Sequence, residues 1–204
     1  ENQLDLKVLA TALTLDTNPV PATVALTVKQ GSVTLYSSPN FPTSTSSTSN
    51  VTPIWVQPAL SYTLTADPGT SYGPGWSSVT ASVPSGPSSG TPVAATVALN
   101  EKGGSLTITV KQKTGGALVD GATVSAAPVD TAVTPPTDDI TDNKGVAGFS
   151  QLPPGDYDLT ATKTTTTTGA GGSTVTTTQT GTVHVTVTAA TVAQSVTIQI
   201  QTVP

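Results

Sequence analysis

The chain contains no cysteine, no methionine and no arginine. Without cysteine there is no disulfide framework, no thiolate nucleophile, no cysteine zinc site and no iron–sulfur cluster. The single imidazole, His184, cannot build a histidine-based metal cluster. Charge is scarce as well: charged side chains make up 9% of the 204 residues, against about 25% in ordinary globular domains. Seven lysines and a net charge of −5 do not suit neutralisation of a phosphate backbone, so nucleic acid is not an expected partner. Apolar runs are only a few residues long, which excludes a bilayer-spanning helix. Helix formers are sparse, while 18 glycines and 17 prolines punctuate the sequence.

Hydroxyl groups are what the chain has in quantity: 42 threonines and 20 serines, close to a third of all residues. A surface covered by hydroxyls and amides needs little charge and suits an exported, assembled or glycosylated protein. Absence of disulfides does not argue against export. The first residue is Glu1, not methionine, which points to a removed leader or a trimmed start. The expected location is extracellular or at a cell surface, with a virion surface as the alternative.

Period-2 alternation runs through the whole chain. Leu4, Leu6 and Val8 alternate with Asp5 and Lys7, and Val24, Leu26 and Val28 with Ala25 and Thr27. The same holds for Leu106, Ile108 and Val110, for Val183, Val185 and Val187, and for Val196, Ile198 and Ile200. Each reads as a strand with one face in a core and the other in water. The halves also match each other in order: residues 4–8 with 106–110, 18–24 with 119–124, 54–66 with 148–161, and 93–99 with 192–198. That order indicates a tandem duplication of about seven short strands per copy, the pattern of an Ig-like sandwich. The expected fold is therefore all-β: two tandem Ig-like antiparallel β-sandwich domains at 1–100 and 104–204. The boundary is the charged, glycine-containing stretch NEKGG.

The second half carries the pattern GATV, TDNKG, F and LPPGDY, in which Gly121, Asp142, Gly145, Phe149, Pro154, Gly155 and Tyr157 are the marked positions. This resembles the carboxypeptidase regulatory-like, or transthyretin-like (prealbumin-like), β-sandwich. Gly121 and Gly145 fall in tight turns that favour positive φ. Phe149 enters the core. Tyr157 is placed to bury its ring and bond its hydroxyl to nearby backbone, as in the tyrosine corner of such sandwiches. The resemblance implies a stabilising or adhesive module of a larger assembly and does not imply peptidase activity. The first half lacks the TDxxG turn and carries a Ser/Thr-rich insertion.

Three segments are expected to bury little: 37–52, 69–90 and 164–180. In the last, residues 160–168 and 173–184 read as the arms of a hairpin joined by 169–172, because threonine is β-branched and suits an exposed strand. Such arms can add to the sheet edge of a neighbouring subunit. Phe41, Tyr72 and Trp76 lie in or beside the polar segments and are the candidate contact aromatics, for a subunit or a sugar. Trp55, which sits where Gly148 and Phe149 sit in the second half, is expected in the core.

Catalytic chemistry finds little support. His184 sits on the polar side of an alternating strand with no nucleophile marked beside it. Asp138, Asp139 and Asp142 crowd one short loop without the calcium-loop spacing of an EF-hand, and read as turn-capping carboxylates. No cofactor, metal ligand or catalytic residue is assigned. Asn50 begins an N-x-[ST] sequon. Ser44, Ser46, Ser47, Thr165, Thr166 and Thr167 are candidate O-glycosylation positions. In surface pilins with this type of sandwich, a lysine–asparagine isopeptide bond would pair Lys7 with Asn100, but no carboxylate is evident beside them and the crosslink is not expected.

The expected function is that of a non-catalytic structural subunit of an extracellular, pilus-like filament or surface assembly. It would form a homopolymer, or assemble with other surface subunits, through sheet edges and loops. The alternatives are a virion decoration or tail-associated protein, and a carbohydrate-binding adhesin module whose partners are glycans.

Overall fold

The computed structural model describes residues 2–13, 15, 20–46, 51–58, 60–70, 75–86, 91–169, 171–189 and 192–203. Among them every regular element is a β-strand. Among the described residues no helix is long and apolar enough to cross a membrane. The chain divides into two compact units, Glu1–Ala12 with Pro19–Glu101, and Leu13–Asn18 with Lys102–Pro204.

In the first unit, β1 (Gln3–Thr11) lies between β4 (Thr52–Trp55), antiparallel, and β7 (Val93–Asn100), parallel. A second, antiparallel sheet has the order β3 (Val33–Pro42), β2 (Thr23–Gln30), β5 (Tyr62–Asp67), β6 (Val79–Val83). The inward members of each alternation meet in one core. Leu4, Leu6 and Val8 from β1 and Val97 and Leu99 from β7 join Leu26 and Val28 from β2 and Leu64 from β5. Side chains of this size contribute roughly 1.5 to 3 kcal/mol each when fully buried. The two sheets therefore form a β-sandwich.

Two of the segments expected to bury little are partly strand. Residues 37–42 continue β3, and 79–83 form β6. Pro39 and Pro42 fit because β3 is an edge strand, where a missing N–H leaves no ladder bond unmade. Irregularities in the β2–β3 register at Val24/Leu26 and Val28/Lys29 keep this strand on the sheet and turn Phe41 inward.

The second unit is a seven-stranded sheet of order β10-β9-β12-β13-β14-β8-β11. Its strands are β8 (Gly104–Gln112), β9 (Thr123–Pro128), β10 (Asp139–Ile140), β11 (Val146–Leu152), β12 (Gly155–Thr168), β13 (Thr174–Val187) and β14 (Gln194–Thr202). One core takes residues from both ends of that order, including Ile108, Phe149, Val124, Leu159 and Ile198. Among the described residues, strand pairing joins the two halves of the sheet where β13 meets β14, at Gln179–Thr202 and Thr180–Gln201. Leu13 and Leu15 group with this unit although the sequence places them after β1. Leu15 packs on its core, and the Leu15 carbonyl accepts a bond from the Thr134 amide at 2.8 Å.

The marked residues of the second half hold its turns. Gly121 and Gly145 have φ of 63° and 68°. Asp142 Oδ1 accepts the amides of Lys144 and Val146, both at 2.9 Å, which closes the turn between β10 and β11. The Tyr157 hydroxyl, buried, donates to the Pro153 carbonyl at 2.9 Å. Tyr62 in the first unit makes the same kind of bond, donating to the Gln57 carbonyl at 2.6 Å.

Candidate functional site

β12 and β13 pair without interruption from Gly155–Val187 to Thr168–Thr174. At the base, β9 covers the outer side of β12 as far as Thr162, paired with Thr123. On the outer side of β13, β14 reaches Gln179, and the Val203 amide donates to the Thr178 carbonyl at 3.1 Å. Beyond these points no described strand pairs with either edge. The arm ends in a glycine turn, where the Gly169 amide donates to the Ser173 carbonyl at 2.8 Å and Gly171 and Gly172 take φ of 101° and 83°.

That closing bond sets which backbone groups face outward. If Gly169 and Ser173 bond each other, the next pair, Thr168 and Thr174, is a non-hydrogen-bonded pair, and the pattern alternates down the ladder. Thr166–Thr176 and Thr164–Thr178 are then non-bonded pairs as well. Side chains come closest in such pairs, and the Oγ1 atoms of these two pairs lie 3.3 and 3.5 Å apart. The N–H and C=O groups of Thr164, Thr166 and Thr168 therefore point out of β12, and those of Thr174 and Thr176 point out of β13. From Thr164 to Thr178 there is no charged side chain and no proline. The arm's side chains are exposed on both faces. Charge, proline and bulges are the usual protections of a free edge, and this one has none of them.

Nearer the base, His184 pairs across the strands with Asp158. Its Nδ1 lies 2.8 Å from Asp158 Oδ1, and its Nε2 lies 3.9 Å from Asp156 Oδ1. The bond to Asp158 comes first among the causes that raise the imidazole pKa above 6.5; desolvation opposes it, and the charges of Asp158 and Asp156 add to it. A raised folded-state pKa contributes stability that is fully present below the unfolded value and lost as pH rises through the folded one. The group is exposed, so the effect on stability is small. The expected result in an NMR titration is a His184 midpoint above 6.5 that returns to the ordinary range in Asp158→Asn. An unchanged midpoint in that variant would contradict the pairing.

The other expected site residues scatter. Thr165, Thr166 and Thr167 lie exposed on the arm. Ser44 and Ser46 form a local turn, with Ser44 Oγ donating to the Ser46 carbonyl at 2.8 Å. Ser47, Asn50 and Tyr72 lie outside the described residues. Two candidate contact aromatics are corrected: Phe41 and Trp76 are buried in the first unit's core, Phe41 in edge-on contact with Tyr36 at 6.4 Å. Trp55 is also corrected, in the opposite sense, for it is 62% exposed. Asp139 Oδ2 accepts the Gly148 amide at 2.7 Å and Asp142 closes its own turn, so these carboxylates serve backbone. Among the described residues no group of three His, Asp or Glu side chains is placed to hold a metal. Lys7 aligns with Thr96 and Asn100 with Thr11, four positions along the ladder, so Lys7 and Asn100 do not face each other.

No protein-family model matches the chain, and no curated protein matches it by sequence. Solved structures do. The Bacillus anthracis TIE protein is similar over 99% of this chain at 15% identity and a TM-score of 0.54. This chain spans 34% of that protein, and the likeness shows a shared β-rich fold. A minor pilin of Streptococcus agalactiae is similar over 100% of this chain and 97% of its own, at 14% identity and a TM-score of 0.35. A variant of the major pilin subunit of Bacillus cereus is similar over 95% and 67%, at 11% identity and 0.39.

Proposed function

We propose that the chain is a non-catalytic structural subunit of an extracellular filament or surface assembly, and that it self-associates by strand addition at the threonine arm. The observation that carries this reading is the open edge of β12 from Thr164 to Thr168, which is uncharged along that length. There the ladder that β9 completes at the base is left unfinished. A strand from a second copy would continue that ladder through the outward groups of Thr164, Thr166 and Thr168. Sites for O-linked sugar at Thr165, Thr166 and Thr167 belong to the same proposal, as does membership of the second unit in the transthyretin-like sandwiches. The turns at Gly121 and Gly145 and the Tyr157 bond support that membership.

Thr166→Pro tests the edge and not the fold. Its amide points outward, so proline removes a group offered to the incoming strand, and places its ring there, without breaking a backbone bond of the arm; within the arm only the exposed hydroxyl contact with Thr176 is lost. One lost bond and a steric obstruction raise the concentration needed for assembly on the order of tenfold or more. Sedimentation and electron microscopy across a concentration series are expected to show polymer for the natural chain and monomer for the variant, with unchanged circular dichroism. A natural chain that stays monomeric at high concentration, or a variant that polymerises equally well, would overturn the reading.

A further inference from the structure

Trp55 stands at the end of the edge strand β4 with its side chain largely in solvent. The register explains why. Leu4 points into the core and pairs with Ile54, so Ile54 points inward and the next residue must point out. The backbone around the indole is pinned: the Val56 amide donates to the Asn2 carbonyl at 3.0 Å, and the Gln57 carbonyl accepts the Tyr62 hydroxyl at 2.6 Å. Across from it lie the ends of the β2–β3 hairpin. Gln30, Leu35, Trp55, Val56 and Gln57 enclose an open cavity of about 280 Å3 in the first unit.

We infer that this cavity is a binding site for a neutral saccharide. Every lining group is uncharged, so an anion or cation would find no counter-charge. A quaternary ammonium ligand would want several aromatic faces, and the cavity has one. What its lining supplies is one indole, the aliphatic side chains of Leu35 and Val56, and two carboxamides. A pyranose ring presents the matching surface: an apolar C–H face to stack on the indole, and hydroxyls that both donate and accept, as the amides of Gln30 and Gln57 do. The small volume fits a short run of sugar rings better than a protein surface. Because the platform is already fixed by the bonds at Val56 and Gln57, binding orders little of the chain. The site is independent of the threonine arm, so either proposal can fail without the other.

The test uses the full chain carrying Thr166→Pro, so that assembly does not intrude. It is titrated with cellohexaose, chitohexaose, xylohexaose and mannohexaose. Trp76 is buried, so acrylamide quenching reads Trp55. At least one of these sugars is expected to shift the emission to the blue and shield Trp55 from acrylamide. By calorimetry, Trp55→Ala is expected to weaken that sugar at least about tenfold, and Gln57→Ala by about threefold to tenfold, with circular dichroism unchanged. Three results would overturn the proposal: no shielding by any of the four sugars, equal affinity in Trp55→Ala, or shielding that grows with protein concentration in the absence of sugar.

Discussion

Gly181→Ala is expected to destabilise the chain by about 3 kcal/mol, at the upper end of the usual cost of overpacking. A β-carbon at this position would collide with the Gln199 carbonyl oxygen and lie 2.8 Å from its carbon, with Ile198 Cγ2 at 3.3 Å. The first two are backbone atoms of β14 and cannot rotate away. The collision falls beside the seam that joins the two halves of the second unit's sheet. That seam holds two ladder pairs and the Val203–Thr178 bond, supported by the reciprocal amide bonds of Gln112 and Gln179 at 2.9 and 3.0 Å. Moving β13 outward to admit a methyl group would strain all of them. Gly148→Ala is the matched control, because the nearest atom to its added carbon is the Leu106 carbonyl oxygen at 3.5 Å, an ordinary contact. Urea unfolding followed by circular dichroism is expected to show a clearly lower midpoint for Gly181→Ala and a nearly unchanged one for Gly148→Ala. Equal midpoints would mean that β13 and β14 do not approach this closely.

Gly181 also shows where the sequence was silent. It stands between Thr180 and Thr182 in a run of alternating residues, and a lone glycine in a strand often marks a close approach of another backbone. Which backbone approaches is a tertiary fact. The strands themselves were legible: β1, β2, β8, β13 and β14 follow the alternation, because a half-buried strand writes its two faces directly into the residue order. The threonine hairpin was legible for a related reason, since two β-branched runs flank a glycine-rich turn.

The misplacement of Trp55 has its origin in register. Matching the two halves by residue similarity sets Trp55 against Phe149 and so predicts a buried indole. Strand pairing matches them differently: Leu4 faces Ile54, and Leu106 faces Phe149. Ile54 is thus the counterpart of Phe149, and the sequence match is one residue out. A slip of one residue moves a side chain to the opposite face. The closing strands show the converse. The residue match sets Val97 against Val196, whereas pairing with the opening strands places Val97 beside Val8 and Ile198 beside Val110. That slip is two residues, which keeps the same face. Phe41 and Trp76 were misplaced for a different reason. Their neighbours are polar and rich in proline and glycine, and local composition says nothing about a single aromatic that reaches across to a core.

Thr141→Val is expected to cost about 3 kcal/mol although it exchanges side chains of nearly the same shape. Thr141 is one of few buried polar residues among those described, and its hydroxyl does two things at once. It donates to the Val119 carbonyl at 2.7 Å and accepts the Ala122 amide at 2.8 Å, while the Thr141 backbone bonds Gly121 and Ala122 at 2.9 Å each. The turn before β9 is held against β10 by this side chain. A valine fills the space but leaves the Ala122 amide buried without its acceptor and deprives the Val119 carbonyl of a donor. Each such loss costs about 1 to 3 kcal/mol. For a unit of roughly one hundred residues, that sum corresponds to a fall in Tm on the order of 15 °C. Thr141→Ser separates the two possible causes, because it keeps the hydroxyl and removes only a methyl group, for which about 1 kcal/mol is expected. If valine proves milder than serine, packing and not hydrogen bonding holds this turn, and the place of threonine in the TDNKG motif must be explained by its methyl group.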